Sequence, residues 1–401
     1  MAAEPIPVAI VGAGPSGLTA ALFLGRQGIP VTVFERESEI FEDPRAATFH
    51  PPTLEMYEPV GITRRLHAAG IIAPKWHYRD RRGGVVAEFD LSILAGETRF
   101  PYRLQCEQHK LCRMLREALA DYPSVTLRYS MPVKDVRQDA EGVDLVVGPE
   151  DEVRRATYVI GADGGRSVVR KSQAIEFVGF TYLERFLVIT TSFDFAAAGF
   201  VFTNYVSDPE EWSALFKVPG KGPPGIWRVV FPVPPDEPEA ALLSVSRAQE
   251  RLQGLLPQAT PYEIVHVNLY QVHQRVAERF REGRVFLDGD AAHVNNPLGG
   301  MGMNFGIHDA VSLAEKLGAV LRGESGVEVL DRYDRQRRFV ADAFLQAMTI
   351  QNKKLLEERD PERRRENQAS LRQTVGDPTR AHAFLMKTAM IEGVRAAAAI
   401  P

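Results

Sequence analysis

The residues with the clearest chemical meaning stand in GAGPSG, residues 12–17, and at Glu35. Glycines at 12, 14 and 17 follow the GxGxxG spacing. The first permits a tight turn, the second lets a pyrophosphate approach the backbone and a helix N-terminus, and the third allows close helix-strand packing. An acid at position 35 can accept both hydroxyls of a ribose and disfavours a 2′-phosphate, which leaves NAD or FAD as the dinucleotide. A second stretch is GDAAHVNNPLGGMGMN, residues 289–304, with four glycines, one proline and no basic side chain. Such a run can bring free backbone N–H groups against a ligand without side-chain bulk.

These residues need elements to position them, and the hydrophobic pattern supplies them. PVAIV reads as a short buried strand, Pro15 to Gln27 as an amphipathic helix with Gly28 near its end, and PVTVFE as a second strand, a βαβ unit in register with the glycines. An NAD dehydrogenase would continue with a second mononucleotide half, and here the chain departs. Arg45 lies in a loop leading into a helix that begins near Pro52. LQCEQHKLCRMLREAL puts Gln108 on the first turn of another helix. ATYVIGADGGRSVVRK is a strand ending at Asp163, Gly164 and Gly165, and RVFLDGDAAH is a strand running into Gly289 and Asp290. Between about 176 and 276, short β-rich runs separated by Gly, Pro and Asp predict an antiparallel sheet. Its alternation offers Phe202, Tyr205, Phe216 and Trp227 as pocket candidates. From Asp331 the spacing predicts one long charged amphipathic helix.

Taken together, residues 6–340 resemble the class A flavoprotein monooxygenases, the aromatic hydroxylases typified by para-hydroxybenzoate hydroxylase and phenol hydroxylase. The motifs that carry the resemblance are GAGPSG with Glu35, GADGGRSVVR and GRVFLDGDAAH. It implies an α/β fold with a Rossmann-like FAD-binding domain of the glutathione-reductase type over 1–74, 100–175 and 276–340. An antiparallel substrate-binding sheet would use 75–99 and 176–275, with a C-terminal helical segment at 341–401. Carried over by match, Gly12, Gly14, Ser16, Gly17, Glu35 and Arg36 meet the ADP half of FAD. Asp163 and Gly164 touch FAD in a region implicated in NAD(P)H use, Gly289 and Asp290 take the ribityl chain, and Arg45 and Gln108 approach the cofactor. The glycine-rich run then has a reason. Reduced flavin is anionic near N1 and the C2 carbonyl, and a helix N-terminus formed by Gly300, Gly302, Met303 and Asn304 offers it N–H groups and partial positive charge. Pro297 would wall the oxygen-reaction face.

The implied reaction takes NADH or NADPH and O2, forms a C4a-hydroperoxyflavin, and hydroxylates a phenol- or hydroxypyridine-type ring. Tyr205 and His50 are candidates for the proton path of a substrate hydroxyl, beside Pro297. Arg103 and Arg228 could hold a carboxylate, and His293 reads as structural. A flavin-dependent halogenase is the enzymatic alternative, but the tryptophans are only Trp76, Trp212 and Trp227, so no WxWxI exists. A non-catalytic FAD scaffold that binds a protein partner is the alternative from another class.

Composition sets the outer limits. The chain has 401 residues, 45% of them hydrophobic, and 48 basic against 52 acidic residues give a formal charge of -4. No large positive field exists to hold nucleic acid or anionic lipid. RRR at 363–365 lies among acids and reads as a solvated helix face. Cys106 and Cys112 form neither a CxxC pair nor a disulfide framework, which fits a reducing cytoplasm. Val8 to Leu24 is uncharged, yet glycine and proline interrupt it where a strand should turn into a helix, so it reads as neither signal nor membrane span. The expectation is a monomer or homodimer that acts on a small aromatic substrate, with no metal ion.

Overall fold

An apolar run without alternation is what a strand buried on both faces requires, and Ile6–Val11 forms one in the middle of an eight-stranded sheet. The computed structural model describes residues 5–42 and 45–401. Pro44, which opens the PRAA loop, lies outside them. Five strands of this sheet are parallel, in the order Val125–Arg128, Val31–Phe34, Ile6–Val11, Glu152–Gly161 and Val285–Leu287. The register sets Val11 against both Phe34 and Gly161, and Gly161 against Leu287. These four strands therefore end level with one another, immediately before Gly12, Glu35, Ala162 and Asp288. The strand Val143–Val147 adds an antiparallel hairpin to the first half of Glu152–Gly161.

The helix after Gly12 runs from Pro15 to Gly25, with Pro at its first turn, where a missing N–H costs nothing. It differs from the amphipathic helix read from the sequence. Leu18, Thr19, Ala20, Ala21, Leu22 and Leu24 are all buried, because the helix is packed between the sheet and the helix Gly302–Leu321. The helix stops two residues early, and Gly28 turns the chain with φ +75°.

The second eight-stranded sheet runs His293–Val294, Ile264–Ala277, Phe177–Thr191, Ile226–Val233, Ser213–Val218, Thr203–Ser207, Lys75–Asp80 and Gly84–Asp90. All neighbours are antiparallel except Thr203–Ser207 and Lys75–Asp80, which come from distant parts of the chain and pair in parallel. Period-two alternation divides the faces. Leu187, Ile189, Leu215, Trp227 and Phe231 pack on one side with Leu252 of the helix Val245–Leu255. Trp76, Tyr78, Phe186, Tyr205 and Val230 pack on the other with Leu298, Leu356, Leu371 and Leu385. A three-stranded sheet of Thr48–Phe49, Arg103–Gln105 and Ile71–Ala73 bridges the two layers.

The charged C-terminal pattern is helical from Val329 to Glu357, with a wide π-type turn over Ala341–Gln346. Three helices follow: Pro361–Gly376, Pro378–Thr388 and Ile391–Ala398. Asp360 and Asp377 cap the first two by accepting backbone N–H bonds. The RRR face is not simply solvated: Arg364 pairs with Asp80 at 2.5 Å and Gln368 donates to the same carboxylate at 3.0 Å, docking the helix on the second sheet. Among the described residues no helix is long and apolar enough to cross a membrane.

The tightest approach in the first sheet is at Gly17, where a Cβ would overlap the backbone oxygen of Gly12 and sit 3.3 Å from Ala162 Cβ. Gly17→Ala should lower the stability of the apoprotein by about 1–3 kcal/mol, the usual cost of overpacking, measured by urea unfolding. Gly14→Ala, where a Cβ meets no atom within 4 Å, should cost less than about 1 kcal/mol in the same experiment.

Candidate active site

The carboxyl ends of parallel strands are where an α/β sheet binds its ligands, and the motif residues gather there. Gly12, in the left-handed region at φ +104°, presses against Ala162 and Asp163. Gly14 caps the helix Pro15–Gly25 from an extended conformation and faces open space. Glu35 is held across this mouth: one oxygen accepts Ala13 N–H at 2.6 Å and the other accepts Glu37 N–H at 2.9 Å. Arg36 is exposed and paired with Glu37 at 3.0 Å. Ser16 is wedged between Gly289 and Gly306, where a Cβ on either glycine would overlap its hydroxyl. That contact fixes the turn carrying Asp290 to the first helix.

Asp290 is enclosed by the walls of this cleft, which pushes its pKa up against the pull of His293 and Arg45, yet its side chain is exposed to the open interior. An accessible carboxylate at the bottom of a cleft is placed to accept from a ligand hydroxyl. Arg45 is exposed, 4.9 Å from the Phe41 ring. Its loop is tied to the helix Gln108–Leu119 by Gln108 N–H on Ala46 O at 2.9 Å and Cys106 N–H on Ala47 O at 2.7 Å. Asp163 has a structural task. It accepts Ser167 Oγ at 2.5 Å and the N–H groups of Val168 at 2.6 Å and Val169 at 3.2 Å, capping the helix Val168–Ser172. The Asp163 carboxylate is thus spent on the protein, so any contact this residue makes with a cofactor falls to its backbone.

Behind the cleft stands a buried charge cluster. Asp309 accepts His293 Nε2 at 2.6 Å, Arg337 Nε at 2.5 Å and Gly289 N–H at 3.3 Å. Burial alone would raise its pKa, but Arg337 and His293 hold it below the usual carboxylate range. Neighbouring Asp288 has neither oxygen hydrogen-bonded, and burial with the Asp309 charge raises its pKa well above the usual carboxylate value. His293 is the structural residue that the sequence suggested.

The glycine-rich run ends in the helix Gly302–Leu321, whose first helical bond is Phe305 N–H to Met301 O. The amides of Gly302, Met303 and Asn304 precede it and remain as donors. The Asn304 side chain is not free. Its oxygen accepts His50 N–H at 3.0 Å and Thr53 Oγ at 2.7 Å, and its nitrogen donates to Thr48 O and Gly300 O, each at 2.8 Å. That side chain is therefore a clamp, and Asn304 offers a ligand only its backbone N–H, the group the sequence reading assigned to it. The His50 side chain is engaged as well. Its Nε2 bonds Gly299 O at 2.9 Å, and burial followed by the Arg103 charge lowers its pKa well below the usual imidazole value, so it braces the run as a neutral ring. Gly300 packs against Thr48, and Pro297 O accepts Gly300 N–H at 3.0 Å.

A cavity lies where this run meets the second sheet. It is lined by Gly299 and Met301 of the run, by Trp76, Tyr78, Arg103 and Tyr205, and by Asn352, Leu355, Leu356, Leu371, Phe384 and Thr388 of the C-terminal helices. Of the residues named from the sequence, Tyr205 and Arg103 line this cavity, while Pro297 and His50 do not. Phe216 packs beside Tyr205 with ring centroids 6.0 Å apart. Trp227 and Phe202 belong to the opposite face, where the indole donates to Asp194 at 3.0 Å. Arg228 is buried away from the cavity and donates to Arg45 O at 2.8 Å, bracing that loop. Sequence reasoning missed Trp76 and the C-terminal wall. The available signal was the apolar spacing of Leu371, Phe384, Leu385 and Thr388. A wider hollow of about 410 Å³ between Phe23, Gln27, Met56 and Val311 carries none of the motif residues.

Comparison with known proteins shows the family. The model of the FAD binding domain family matches residues 5–348. The chain belongs to this family of FAD-dependent aromatic monooxygenases. The para-nitrophenol 4-monooxygenase of Pseudomonas sp. (strain WBC-3) is 34% identical over 393 residues, 97% of this chain and 96% of that one. The 6-hydroxy-3-succinoylpyridine 3-monooxygenase of Pseudomonas putida (strain DSM 28022 / S16) is 37% identical over 338 residues, 83% and 85% of the two chains. A crystal structure of p-nitrophenol 4-monooxygenase from Pseudomonas putida DLL-E4 superposes with a TM-score of 0.91 at 34% identity, covering 97% of this chain and 98% of that one. The cleft of this monooxygenase fits its cofactor. Open space at Gly14, the poised Glu35 carboxylate, an accessible Asp290 and unpaired amides at 302–304 are what a diphosphate, a ribose, a ribityl chain and an anionic ring edge require.

The neutral histidines set a pH dependence. Burial lowers the pKa of His308, which shares Thr53 Oγ at 2.8 Å, to about 3, and that of His50 well below 6.5. Below about pH 6.5 the unfolded chain takes up protons that the folded chain refuses, so stability falls on acidification, by about 2 kcal/mol from pH 7 to pH 5 for His308, with His50 adding in the same direction. Urea unfolding at the two pH values should show this loss, and His50→Gln should reduce it by the share of His50.

Proposed function

We propose that the protein is an NAD(P)H-dependent flavoprotein hydroxylase of phenols or hydroxypyridines, with FAD lying across the edge of the parallel sheet. In this reading Gly12, Gly14, Ser16, Gly17 and Glu35 hold the ADP half, with Arg36 beside the ribose. Gly289 and Asp290 hold the ribityl chain, and Arg45, Gln108 and the Asp163–Gly164 backbone flank the cofactor. Gly302, Met303 and Asn304 present backbone donors to the flavin ring, with Gly300, whose own N–H is held by Pro297 O, bringing the chain close and Pro297 beside it. The redox chemistry, acceptance of a hydride from NADH or NADPH and activation of O2, belongs to bound FAD.

The observation that carries the reading is the aromatic cavity that opens onto Gly299 and Met301 of the same run. A ring held there would be next to the flavin, as both relatives, whose names carry a nitrophenol and a hydroxypyridine, would require. The side chains do the rest. Trp76, Phe384 and Leu371 exclude water that would otherwise divert oxygen to hydrogen peroxide. Tyr205, whose hydroxyl lies in the cavity lining 3.5 Å from Arg103, meets the substrate hydroxyl as the first hydrogen-bond partner on its proton path. His50 acts through the run, by holding Gly299.

A screen of phenols and hydroxypyridines should find compounds that accelerate NADH or NADPH oxidation by the holoenzyme at least about tenfold over the ring-free rate. Stimulation by a halide or a protein ligand in place of a ring would overturn the reading. Asp290→Ala should release FAD while leaving the apoprotein folded; full flavin retention would remove the ribityl assignment. Gly14→Ala should weaken FAD binding despite its small effect on stability.

A further inference from the structure

We infer that Arg103 selects ring substrates carrying an anionic oxygen, an inference that rests on the ring-binding role proposed for the cavity. Arg103 is 2% exposed, on the strand Arg103–Gln105 that bridges the two layers. Its guanidinium stands 5.4 Å from the Trp76 ring. Its one hydrogen bond is a long one, Nη1 to Tyr205 OH at 3.5 Å, and its Nε has no partner. Among the described residues no carboxylate pairs with it, and the cavity lining contains no Asp or Glu.

The other buried arginines mark the difference. Arg337 is paired with Asp309 and Arg170 donates to Ala291 O and Gly165 O, while Arg228, whose Nε also lacks a partner, still makes a 2.8 Å bond to Arg45 O. A buried cation left without such partners is costly. Here the missing partner is a ligand, because the unmet polar groups at the cavity are all able to donate. Trp76 Nε1 and Thr388 Oγ are buried without partners, as Arg103 Nε is. Tyr78 OH and Asn352 Nδ2 are already spent on Leu355 O and Leu298 O. The nearby imidazole, His50, is kept neutral and bonded to Gly299, so it neither competes for nor repels an anion. An aromatic wall with one uncompensated cation and neutral donors fits an arene whose charge is delocalised over acceptor oxygens, such as a nitrophenolate or a ring carboxylate.

The test uses the oxidised FAD holoenzyme without nicotinamide, so that no turnover occurs, and reads binding from the perturbed flavin spectrum. The probes are two charge-matched pairs: 4-nitrophenolate with 4-nitroanisole, and 4-hydroxybenzoate with its methyl ester. Wild type should bind the anionic member of at least one pair about 10- to 100-fold more tightly, the ratio expected for a charge-assisted hydrogen bond. In Arg103→Met and Arg103→Gln this preference should shrink to within about threefold while the neutral member's Kd holds, and Arg103→Lys should restore part of it. Both neutral variants should keep their FAD and melt no lower than wild type, since removing an unpaired buried charge relieves the fold. Preference that survives in the variants, or no preference in wild type, overturns the assignment to Arg103 alone. If none of the four probes perturbs the flavin of wild type, the ring-binding reading of the cavity fails, and this inference fails with it.

Discussion

Parallel pairing in register is the constraint on which the rest of this structure depends. Because Val11 lies level with Phe34 and Gly161, and Gly161 with Leu287, the residues that follow each strand come out on one edge. Four segments widely separated in sequence are thereby brought together. A slip of one residue would exchange the two packed faces of these strands and carry Gly12 away from Ala162, so the packing that stabilises the sheet also aligns the cleft. The contacts of Gly12 with Ala162 and of Ser16 with Gly289 then fix spacing at a scale no side chain larger than hydrogen allows.

The second level of order is a polar clamp. Asn304 uses its whole amide to tie Thr48 and His50 to Gly300, while His50 reaches Gly299 from behind. These bonds hold the glycine-rich run as a rigid shelf whose free amides point past the helix start. The same shelf forms one end of the aromatic cavity, so the proposed flavin seat and ring seat share a wall and cannot drift independently. The opposite wall comes from helices after residue 350, anchored through Arg364 and Gln368 on Asp80.

Much of the cleft was legible in the sequence, because its chemistry is carried by local motifs. GAGPSG with Glu35 specifies a strand, a turn, a helix and an acid by spacing alone, and the strands ending at Asp163 and Asp290 could be read from apolar runs closed by Asp-Gly. What escaped depends on long-range contact. The first helix looked amphipathic because Thr19 and the small alanines suggest a polar side, but packing on both faces favours small residues there. Position in the chain does not say that the Asn304 and Asp163 side chains are spent on the scaffold; only their partners show it. The cavity's far wall is built from Leu371, Phe384 and Thr388, ordinary helix residues whose role appears only when Pro361–Gly376 and Pro378–Thr388 fold back on the second sheet. Arg103 and Arg228 look equivalent in sequence, yet one bridges to the cavity and the other braces a loop.

The central claim is that oxygen activated in the cleft is delivered to a ring held against the glycine-rich shelf. Turnover of a stimulating phenol or hydroxypyridine under ¹⁸O₂, with mass analysis of the product, tests it most directly. The account predicts one labelled oxygen atom in the ring product and little hydrogen peroxide. Product lacking label, or donor oxidation that ends wholly in peroxide with every ring compound that stimulates it, would contradict it.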